Sequence, residues 1–546
     1  MIYRDELSNH YQNYLEGSYD CIDRIVLNAY YPILHSPGGL RSWYNLLKGS
    51  DKDLDTNHLM RFSGRFSRRV QAFCKSKDIP LMYFKSGERK HEEAESLIIP
   101  LDKSFSGIFA IFVARAPSKL WEVKQFNNKN IDIRKKKYLS YVNHYYFHIM
   151  DTNWGHITIR ICSHPPFNCM IILNGHEWVE RQKAVSKLNV RKEENCFVSY
   201  SDGNALSKVA DALKSKGQLE KVCDRWVYGC LWFAINTSEQ DLTNFKYQYS
   251  IYQIEYSRNL LFKRGTYLDD IYRNIIDLTR SNLDIQRIKT MFGRKKRLHN
   301  RKSKTSDIES RIEKPDYDLT IFKIHFGKLT VKLYDKGERT LRAEVVVHNT
   351  KELKCKRSLL NFAEIVEKLE NMMNSFMNNL QYSHSALIKD NTLEKLTTPH
   401  KKGKNRVAGI NLFNERNISI METVLSLSIK PQGFVISDIT EIMLKKKIFD
   451  YSNRKASYDL RKLRVKDLVA KIKGTRKYIL TKEGTQVIFA TLSVLQKELP
   501  RVISVCSSKD KQNKKHQELT PSEKLLFKIS EDISIYEKSI GLKLVG

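Results

Sequence analysis

Residues 322–347, FKIHFGKLTVKLYDKGERTLRAEVVV, and residues 147–173, FHIMDTNWGHITIRICSHPPFNCMIIL, repeat one pattern of strands and turns. Each stretch alternates apolar and polar residues between turn-forming positions, which is typical of half-buried strands. In each, two strands are expected to pair as a hairpin and a third strand leads into a helix. We therefore predict an α+β core of two pseudo-symmetric β-hairpin/helix units with a helical insertion between them.

The stretch from Phe434 to Glu483 carries a different pattern. An amphipathic helix around Ile439 precedes Ser452-Asn453, which suits a helix N-cap, and a second helix runs from Arg454 to Leu463. Two short strands then flank a basic turn. This order of elements resembles winged helix-turn-helix DNA-binding domains, which implies that the outer face of the second helix and the basic turn contact DNA. The residues predicted to do so are Arg454, Ser457, Tyr458, Arg461, Lys462, Arg476 and Lys477.

Composition indicates the boundaries of the other segments of the chain. A charge run between the two units is interpreted as a linker, and the region from Ala205 to about Thr290, which includes Gln253 to Tyr256, as the helical insertion. The predicted segments are an N-terminal extension (1–60), the first α+β unit with the helical insertion (61–292), a basic linker (293–318), the second α+β unit (319–396), a linker (397–410), the winged helix-turn-helix (411–500) and a polar basic tail (501–546).

The bulk properties favour a nucleic-acid partner. The net charge is +33 in 546 residues, and the basic residues are spread along the whole chain, as expected for a protein that binds a polyanion. No apolar run approaches the length of about 18 residues that a membrane span needs, and the N-terminus lacks a signal-peptide core. Nine cysteines without a CxxC pair are interpreted as free thiols of a cytoplasmic protein. The motifs of ATP hydrolysis, dinucleotide binding and zinc proteolysis are absent from the sequence.

Strand alternation also predicts a polar sheet face on which chemistry can take place. Such a face suits metal-assisted phosphoryl transfer or phosphate binding, and a solvated face with cross-strand ion pairs is the alternative. His176-Glu177 begin a helix after a strand, where they suit a metal or general-base pair or a helix cap. The predicted catalytic residues are Glu344, His176, Glu177 and Tyr334, the metal ligands are His148 and Glu255, and the phosphate-binding residues are Arg160, Lys332 and Arg342.

Two further resemblances bear on function. Residues 330–345 resemble the "K-x-Y-x-K … L-R-x-E-V" stretch of rolling-circle replication initiators of phages and plasmids, through Lys332, Tyr334, Lys336, Leu341, Arg342, Glu344 and Val345. That resemblance implies a divalent cation near Glu344 and a nucleophilic tyrosine, for which Tyr256 and Tyr334 are candidates. The His-x-His pair of those families is missing.

Several segments, among them WGHITIR (154–160) and LNGHE (173–177), also resemble a family of large uncharacterised bacterial proteins, which implies a shared architecture and no particular chemistry.

These patterns together predict a DNA-binding protein of a mobile element, of phage or plasmid type. The enzyme hypothesis is a metal-dependent nicking or replication-initiation activity that uses Mg²⁺ or Mn²⁺ and acts on double-stranded DNA. The alternative is a non-enzymatic DNA- or RNA-binding factor that regulates transcription or replication. The enzyme hypothesis is favoured if His148, His176, Glu177, Glu255 and Glu344 lie within metal-ligand reach of one another, whereas their scattering over two surfaces favours the binding factor.

Overall fold

One large mixed sheet organises most of the chain. The computed structural model describes residues 3–272, 308–313, 321–384, 392–500, 524–525, 528–529, 531–532 and 535, apart from gaps at 86–87, 89, 100, 103, 127–129, 216, 327–328, 337, 403–404, 429 and 431–432. The predicted charge run at 294–304 and nearly all of the predicted tail lie outside the described residues.

Among the described residues, eleven strands form this sheet, and two further pairs of strands lie before residue 248. In chain order the strands are β1 Leu15–Tyr30, β2 Leu81–Phe84, β3 Gly107–Ser118, β4 Trp121–Phe126, β5 Asn130–Lys135, β6 Ser140–Asp151, β7 Gly155–Cys162, β8 Cys169–Asn174, β9 Arg191–Glu193, β10 Cys196–Ser199, β11 Gln248–Phe262, β12 Ile308–Glu313, β13 Ile321–Phe326, β14 Leu329–Asp335 and β15 Thr340–Val347. The order across the sheet is β12-β13-β14-β15-β11-β1-β8-β7-β6-β3-β2. The β2–β3 pair is parallel and all other neighbours in this order are antiparallel.

Helices cover both faces of the sheet, which gives a mixed α/β fold. They are α1 Glu6–His10, α2 Pro37–Lys48, α3 Thr56–Lys77, α4 Lys90–Ile98, α5 Gly175–Glu180, α6 Gly203–Asp211, α7 Gln218–Leu231, α8 Thr237–Leu242 and α9 Phe362–His384. Asp55 caps α3, and the apolar stripe of that helix packs on β6, where the Phe66 ring lies 4.5 Å from the Tyr145 ring. Ile365 and Leu369 of α9 are buried in the same apolar core.

The central pair of strands, β1 and β11, corrects two sequence predictions. Residues 1–60 are not an extension, because β1 pairs with β8 on one side and with β11 on the other. Gln253 to Tyr256 do not belong to the helical insertion, because they lie in β11 and the preceding helix ends at Leu242. The second half of β11 is buried on both faces, so its sequence lacks the alternation by which a strand is recognised.

Both predicted strand triplets are present, and both join the same sheet. The first, β6 to β8, meets β1 through β8, and the second, β13 to β15, meets β11 through β15. Two linker predictions are wrong in part. Residues 308–313, inside the predicted basic linker, form the edge strand β12. Within the predicted linker 397–410, β16 His400–Lys402 pairs with β17 Asn405–Val407.

A second apolar core gathers the C-terminal residues from Leu396 to Leu492. Its elements are α10 Thr392–Thr397, α11 Glu415–Leu427, α12 Ile436–Lys445, α13 Asn453–Val465, β18 Val469–Lys471, β19 Tyr478–Leu480 and α14 Lys482–Ser493. The order of elements predicted for Phe434 to Glu483 is present. Ser452 caps α13 by accepting a hydrogen bond from Lys455 N, and Ala456 and Leu460 are buried on one face of that helix, as its pattern predicts.

A buried carboxylate that the sequence analysis did not single out ties this C-terminal unit together. Asp459 on α13 accepts hydrogen bonds from Arg416 Nε and Nη2 at 2.8 and 3.0 Å, and from the Tyr451 hydroxyl at 2.9 Å. The unit contacts the rest of the protein through α9, where Asn379 Nδ2 donates to Ser428 Oγ at 2.9 Å.

Candidate metal centre

Three carboxylates converge on the central strands of the large sheet. Asp23 lies on β1, Glu255 on β11 and Glu344 on β15, and one oxygen from each lies within 4.8 Å of the other two. Asp23 and Glu344 are buried, whereas Glu255 is partly exposed. Neighbouring strands are about 4.8 Å apart, so side chains from adjacent strands on one face of a sheet can meet in this way. We refer to these three residues as the acidic triad.

A β-bulge in β1 contributes Asp23 to the acidic triad. Ile22 pairs with Tyr256 and Ile25 pairs with Ile254, so that Asp23 and Arg24 together oppose Glu255. Ile22 and Ile25 share a face with their partners Tyr256 and Ile254, so Asp23, which follows Ile22, points to the opposite face together with Glu255. Bulges are common beside functional sites.

Arg342 is fully buried beside the acidic triad and neutralises Asp23. Its Nη1 donates to Asp23 Oδ2 at 3.0 Å, its Nε donates to Asn259 Oδ1 at 2.7 Å, and its Nη2 donates to the Asn195 carbonyl oxygen at 2.5 Å. Asn195 lies in the turn between β9 and β10, and this hairpin covers the sheet there. The prediction that Arg342 binds nucleic acid is wrong, because all three of its nitrogens are engaged inside the protein.

Glu344 and Lys332 form the second ion pair at the acidic triad. Lys332 Nζ donates to Glu344 Oε2 at 2.6 Å from the neighbouring strand β14. Burial raises the pKa of Glu344 to about 7; Lys332 opposes this rise, and Asp23 and Glu255 add to it. Burial also acts to raise the pKa of Asp23, but Arg342 and His176 outweigh it and hold that pKa well below its usual value. Glu344 therefore exchanges a proton near neutral pH, in the range that suits a general base.

His176 supports the acidic triad from behind. Its Nδ1 lies 3.0 Å from Asp23 Oδ1, and its Nε2 lies 3.3 Å from the Tyr19 hydroxyl. Asn174 caps α5 by accepting a hydrogen bond from His176 N at 2.9 Å, which fixes the position of the histidine. Burial lowers the pKa of His176, although Asp23 opposes this, so the ring is neutral at pH 7. His176 thus contacts Asp23 and positions it.

Two other polar side chains border the acidic triad on its exposed side. Gln253 Nε2 donates to Glu255 Oε1 at 2.5 Å and orients that carboxylate. Tyr334 is partly exposed on β14, opposite Arg342. Burial and the nearby Glu344 raise the pKa of Tyr334 above its usual value, so its hydroxyl stays protonated at neutral pH. A neutral hydroxyl donates hydrogen bonds more readily than it attacks phosphorus.

His148 and Glu177 lie away from the acidic triad. His148 is on β6, three strands from β1, where its Nδ1 is 3.0 Å from His156 Nε2. Glu255 is on β11, one strand further, and four strand spacings amount to about 19 Å, far beyond a metal–ligand bond of about 2 Å, so the prediction that His148 shares a cation with Glu255 is wrong. Glu177 is ion-paired with Arg181 and Lys192, which hold its pKa low against the effect of burial.

The residues predicted to contact nucleic acid in the C-terminal unit are accessible. Arg454, Ser457, Tyr458, Arg461 and Arg476 are exposed, and Lys462 and Lys477 are partly exposed. On the large sheet, Arg160 lies over the ring of Tyr146, with its guanidinium carbon 5.7 Å from the ring centroid, and is separate from the acidic triad.

Asp23 is the functional residue that the sequence analysis missed. It stands in the run from Tyr19 to Tyr30, YDCIDRIVLNAY, where acidic residues interrupt an apolar strand. An acid inside a buried strand is almost always paired or bound to a metal, so the interruption itself is the signal.

No protein-family model, no curated protein and no solved structure matches this chain. Within the part of the chain that the structure describes, every helix is too short or too polar to cross a lipid bilayer.

Proposed function

We propose that this protein is a metal-dependent enzyme that cleaves a phosphodiester bond in DNA. The observation that carries the proposal is the convergence of carboxylate oxygens from Asp23, Glu255 and Glu344 within 4.8 Å of one another. Carboxylate oxygens are the ligands that Mg²⁺ and Mn²⁺ prefer. A cation held there would stabilise negative charge on a phosphate and lower the pKa of a bound water.

The charge balance of the acidic triad supports a cation. When all three carboxylates are ionised, Arg342 and Lys332 leave one negative charge uncompensated. Burial is the main cause of the raised pKa of Glu344, and repulsion from Asp23 and Glu255 adds to it. Arg342 is buried with Asp23 and belongs permanently to the site. Lys332 is 26% exposed, and within the described part of the chain its side chain is held by one hydrogen bond, to Glu344. When a cation replaces Lys332 as the partner of the Glu344 carboxylate, Lys332 is in a position to bind a phosphate oxygen.

The C-terminal unit is proposed to be a winged helix-turn-helix that delivers the enzyme to duplex DNA. Its separate apolar core, the exposed basic face of α13 and the basic turn between β18 and β19 support this assignment. Arg461 and Arg476 are the most informative contacts, because both are exposed and carry charge that phosphate neutralises.

A narrower form of the proposal is replication initiation by a plasmid- or phage-type element, in which the enzyme nicks one strand. It rests on the resemblance of residues 330–345 to rolling-circle initiators and on the position of Glu344 in the acidic triad. The proposed pseudo-symmetry of the core fits the sheet order, in which β6 to β8 and β13 to β15 lie on opposite sides of the β1–β11 pair.

A second candidate is a non-enzymatic DNA- or RNA-binding factor. The two ion pairs of Asp23 with Arg342 and of Glu344 with Lys332 favour it, because they give the acidic triad the form of a buried structural network. Such networks stabilise a fold or fix its register without chemistry. The two candidates share the C-terminal DNA contact and differ in whether the acidic triad binds a cation.

The deciding experiment combines cleavage with direct metal binding. Purified protein is incubated with supercoiled plasmid or labelled single-stranded DNA in Mg²⁺, in Mn²⁺ and in chelator, and Mn²⁺ binding is followed by electron paramagnetic resonance. Glu255→Gln is the informative variant, because Glu255 is partly exposed and Gln253 is its one hydrogen-bond partner among the described residues. Glu338→Gln is the matched control, since Glu338 is exposed on the turn between β14 and β15.

The enzyme proposal expects metal-dependent nicking in the wild type and in Glu338→Gln, and loss of both nicking and Mn²⁺ binding in Glu255→Gln. DNA binding should be equal in all three proteins. If DNA is bound but never cut, and Mn²⁺ is not bound, the second candidate is correct.

A further inference from the structure

We propose that a cavity beside α3 binds one nucleotide unit, a base with its phosphate, of single-stranded DNA. The cavity has a volume of about 550 Å³ and lies between α3, the ends of β3 and β6, and the turn that carries His164 and Pro165. Small-molecule sites in proteins typically measure roughly 300–1,000 Å³, so one nucleotide fits. This site is additional to the proposed cleavage activity.

The cavity and the acidic triad lie on opposite faces of the sheet. Phe147, Ile159, Ile171 and Leu27 pair directly across four strands, so they share the face against which α3 packs. Glu255 is adjacent to Ile254 in β11 and points to the other face, together with Glu344. A ligand in the cavity therefore cannot be the group that occupies the acidic triad.

The charged side chains that line the cavity favour an anionic ligand. Among the described residues that line it, the charged side chains are both basic: Arg115 at the end of β3 and Lys136 after β5. Arg115 is exposed and donates from Nη2 to the Tyr141 carbonyl oxygen at 2.9 Å, which leaves the rest of its guanidinium directed to solvent. His164 is also in the lining, where burial, followed by Lys136, lowers its pKa to about 4 and keeps it neutral. A phosphate group satisfies this arrangement.

Aromatic and neutral polar side chains complete the lining. Tyr141 is 62% exposed at the cavity, and Trp121 lies deeper, with its Nε1 donating to the Leu34 carbonyl oxygen at 3.0 Å. Bases stack on such exposed rings. Ser140 and Asn143 offer hydrogen-bonding groups for the edge of a base. Cationic side chains next to aromatic rings are the usual composition of sites for single strands.

The concave shape favours a single strand over a duplex. In a duplex the bases are stacked and paired inside the helix, so only an unpaired nucleotide can turn into a cavity of this kind. The exposed turn before β6 adds Tyr138, which is 84% exposed, and the exposed Lys137 next to the cavity. A strand that leaves the cavity would meet these residues.

The test is photo-cross-linking of the full chain to a short oligonucleotide that contains 5-iodouracil, followed by peptide mapping. The expected cross-links lie in peptides that contain Tyr141 or Trp121. If free thymidine monophosphate suppresses the cross-linking, a single nucleotide is sufficient for binding. If only the unlabelled oligonucleotide suppresses it, the ligand is the strand. Cross-links confined to residues 411–500 would overturn the proposal.

Variants make the same test quantitative. Arg115→Gln and Tyr141→Ser should each reduce cross-linking at the cavity about tenfold, which corresponds to loss of one base–aromatic or phosphate contact. Tyr141→Phe should retain it, since the ring and not the hydroxyl carries the contact. Lys75→Gln, an exposed charge at the far end of α3, is the control and should not change cross-linking. Equal cross-linking in all four variants would show that the cavity binds no nucleotide.

Discussion

The proton on Glu344 should compete with a cation for the acidic triad. The pKa of Glu344 is raised to about 7, and a metal ligand must be ionised. With that pKa the ionised fraction is about 0.9 at pH 8 and about 0.1 at pH 6. The dissociation constant for Mn²⁺ should therefore rise about tenfold from pH 8 to pH 6, which is about 1.4 kcal/mol.

Neighbouring groups should not contribute to this dependence. The pKa of Asp23 is held well below its usual value, so this carboxylate stays charged between pH 6 and pH 8, and burial moves the pKa of His176 downward, away from that range. Lys332 remains charged, because Glu344 raises its pKa against the opposing effect of burial. Glu344→Gln should bind Mn²⁺ more weakly than the wild type and with a dissociation constant that is independent of pH.

Mn²⁺ titrations at pH 6, 7 and 8, followed by electron paramagnetic resonance, measure the dissociation constants of the wild type and of Glu344→Gln. Glu338→Gln is the control, and its dissociation constant should depend on pH as that of the wild type does. A wild-type dissociation constant that is the same at pH 6 and pH 8 would refute the competition. So would a Glu344→Gln variant that retains the tenfold change, because the titrating group would then be another residue.

Three further predictions concern stability and DNA binding. Asp23→Asn should lower the free energy of unfolding, measured in urea, by about 3–5 kcal/mol, because it leaves the charge of Arg342 buried without its partner. Asp459→Ala should destabilise the C-terminal unit by about 2 kcal/mol in thermal unfolding, since it removes the acceptor of the two hydrogen bonds from the partly exposed Arg416. Arg461→Ala should weaken duplex binding in fluorescence anisotropy and reduce the salt slope by about 1.

Each of these predictions has a contrary outcome. An Asp23→Asn protein as stable as the wild type would mean that Arg342 finds another acceptor inside the sheet. An unchanged melting transition of the C-terminal unit would mean that Asp459 contributes no net stability. If Lys75→Gln, a loss of one exposed charge, lowers the salt slope as much as Arg461→Ala does, α13 is not the DNA-binding helix.

Local patterns were sufficient to predict the C-terminal elements. Ser452 as a cap, the apolar face of α13 and the basic turn are all encoded within about 50 consecutive residues, where period and capping determine structure. The strand triplets were predictable for the same reason.

The central strands were not predictable in this way. β1 contains a bulge between Ile22 and Ile25 that breaks the period of two, and β11 is buried on both faces in its second half. Asp23 joins Glu344 only because these strands pair across the whole length of the core, a fact that no local window contains. The prediction for Arg342 was wrong for a related reason, since the β9–β10 hairpin that buries it lies far away in sequence.

The position of β1 in the middle of the sheet affects how the protein is made. The partners of β1 along the chain are β8 (Cys169–Asn174) and β11 (Gln248–Phe262), both synthesised long after β1, and 319 positions separate Arg342 from Asp23. Until a ribosome has produced β11 (Gln248–Phe262), one edge of β1 has no strand to pair with, and unpaired edges promote association with other chains. The nascent protein would therefore depend on a chaperone or on rapid elongation, and a chain that ends before β15 would lack Glu344 and could not form the acidic triad.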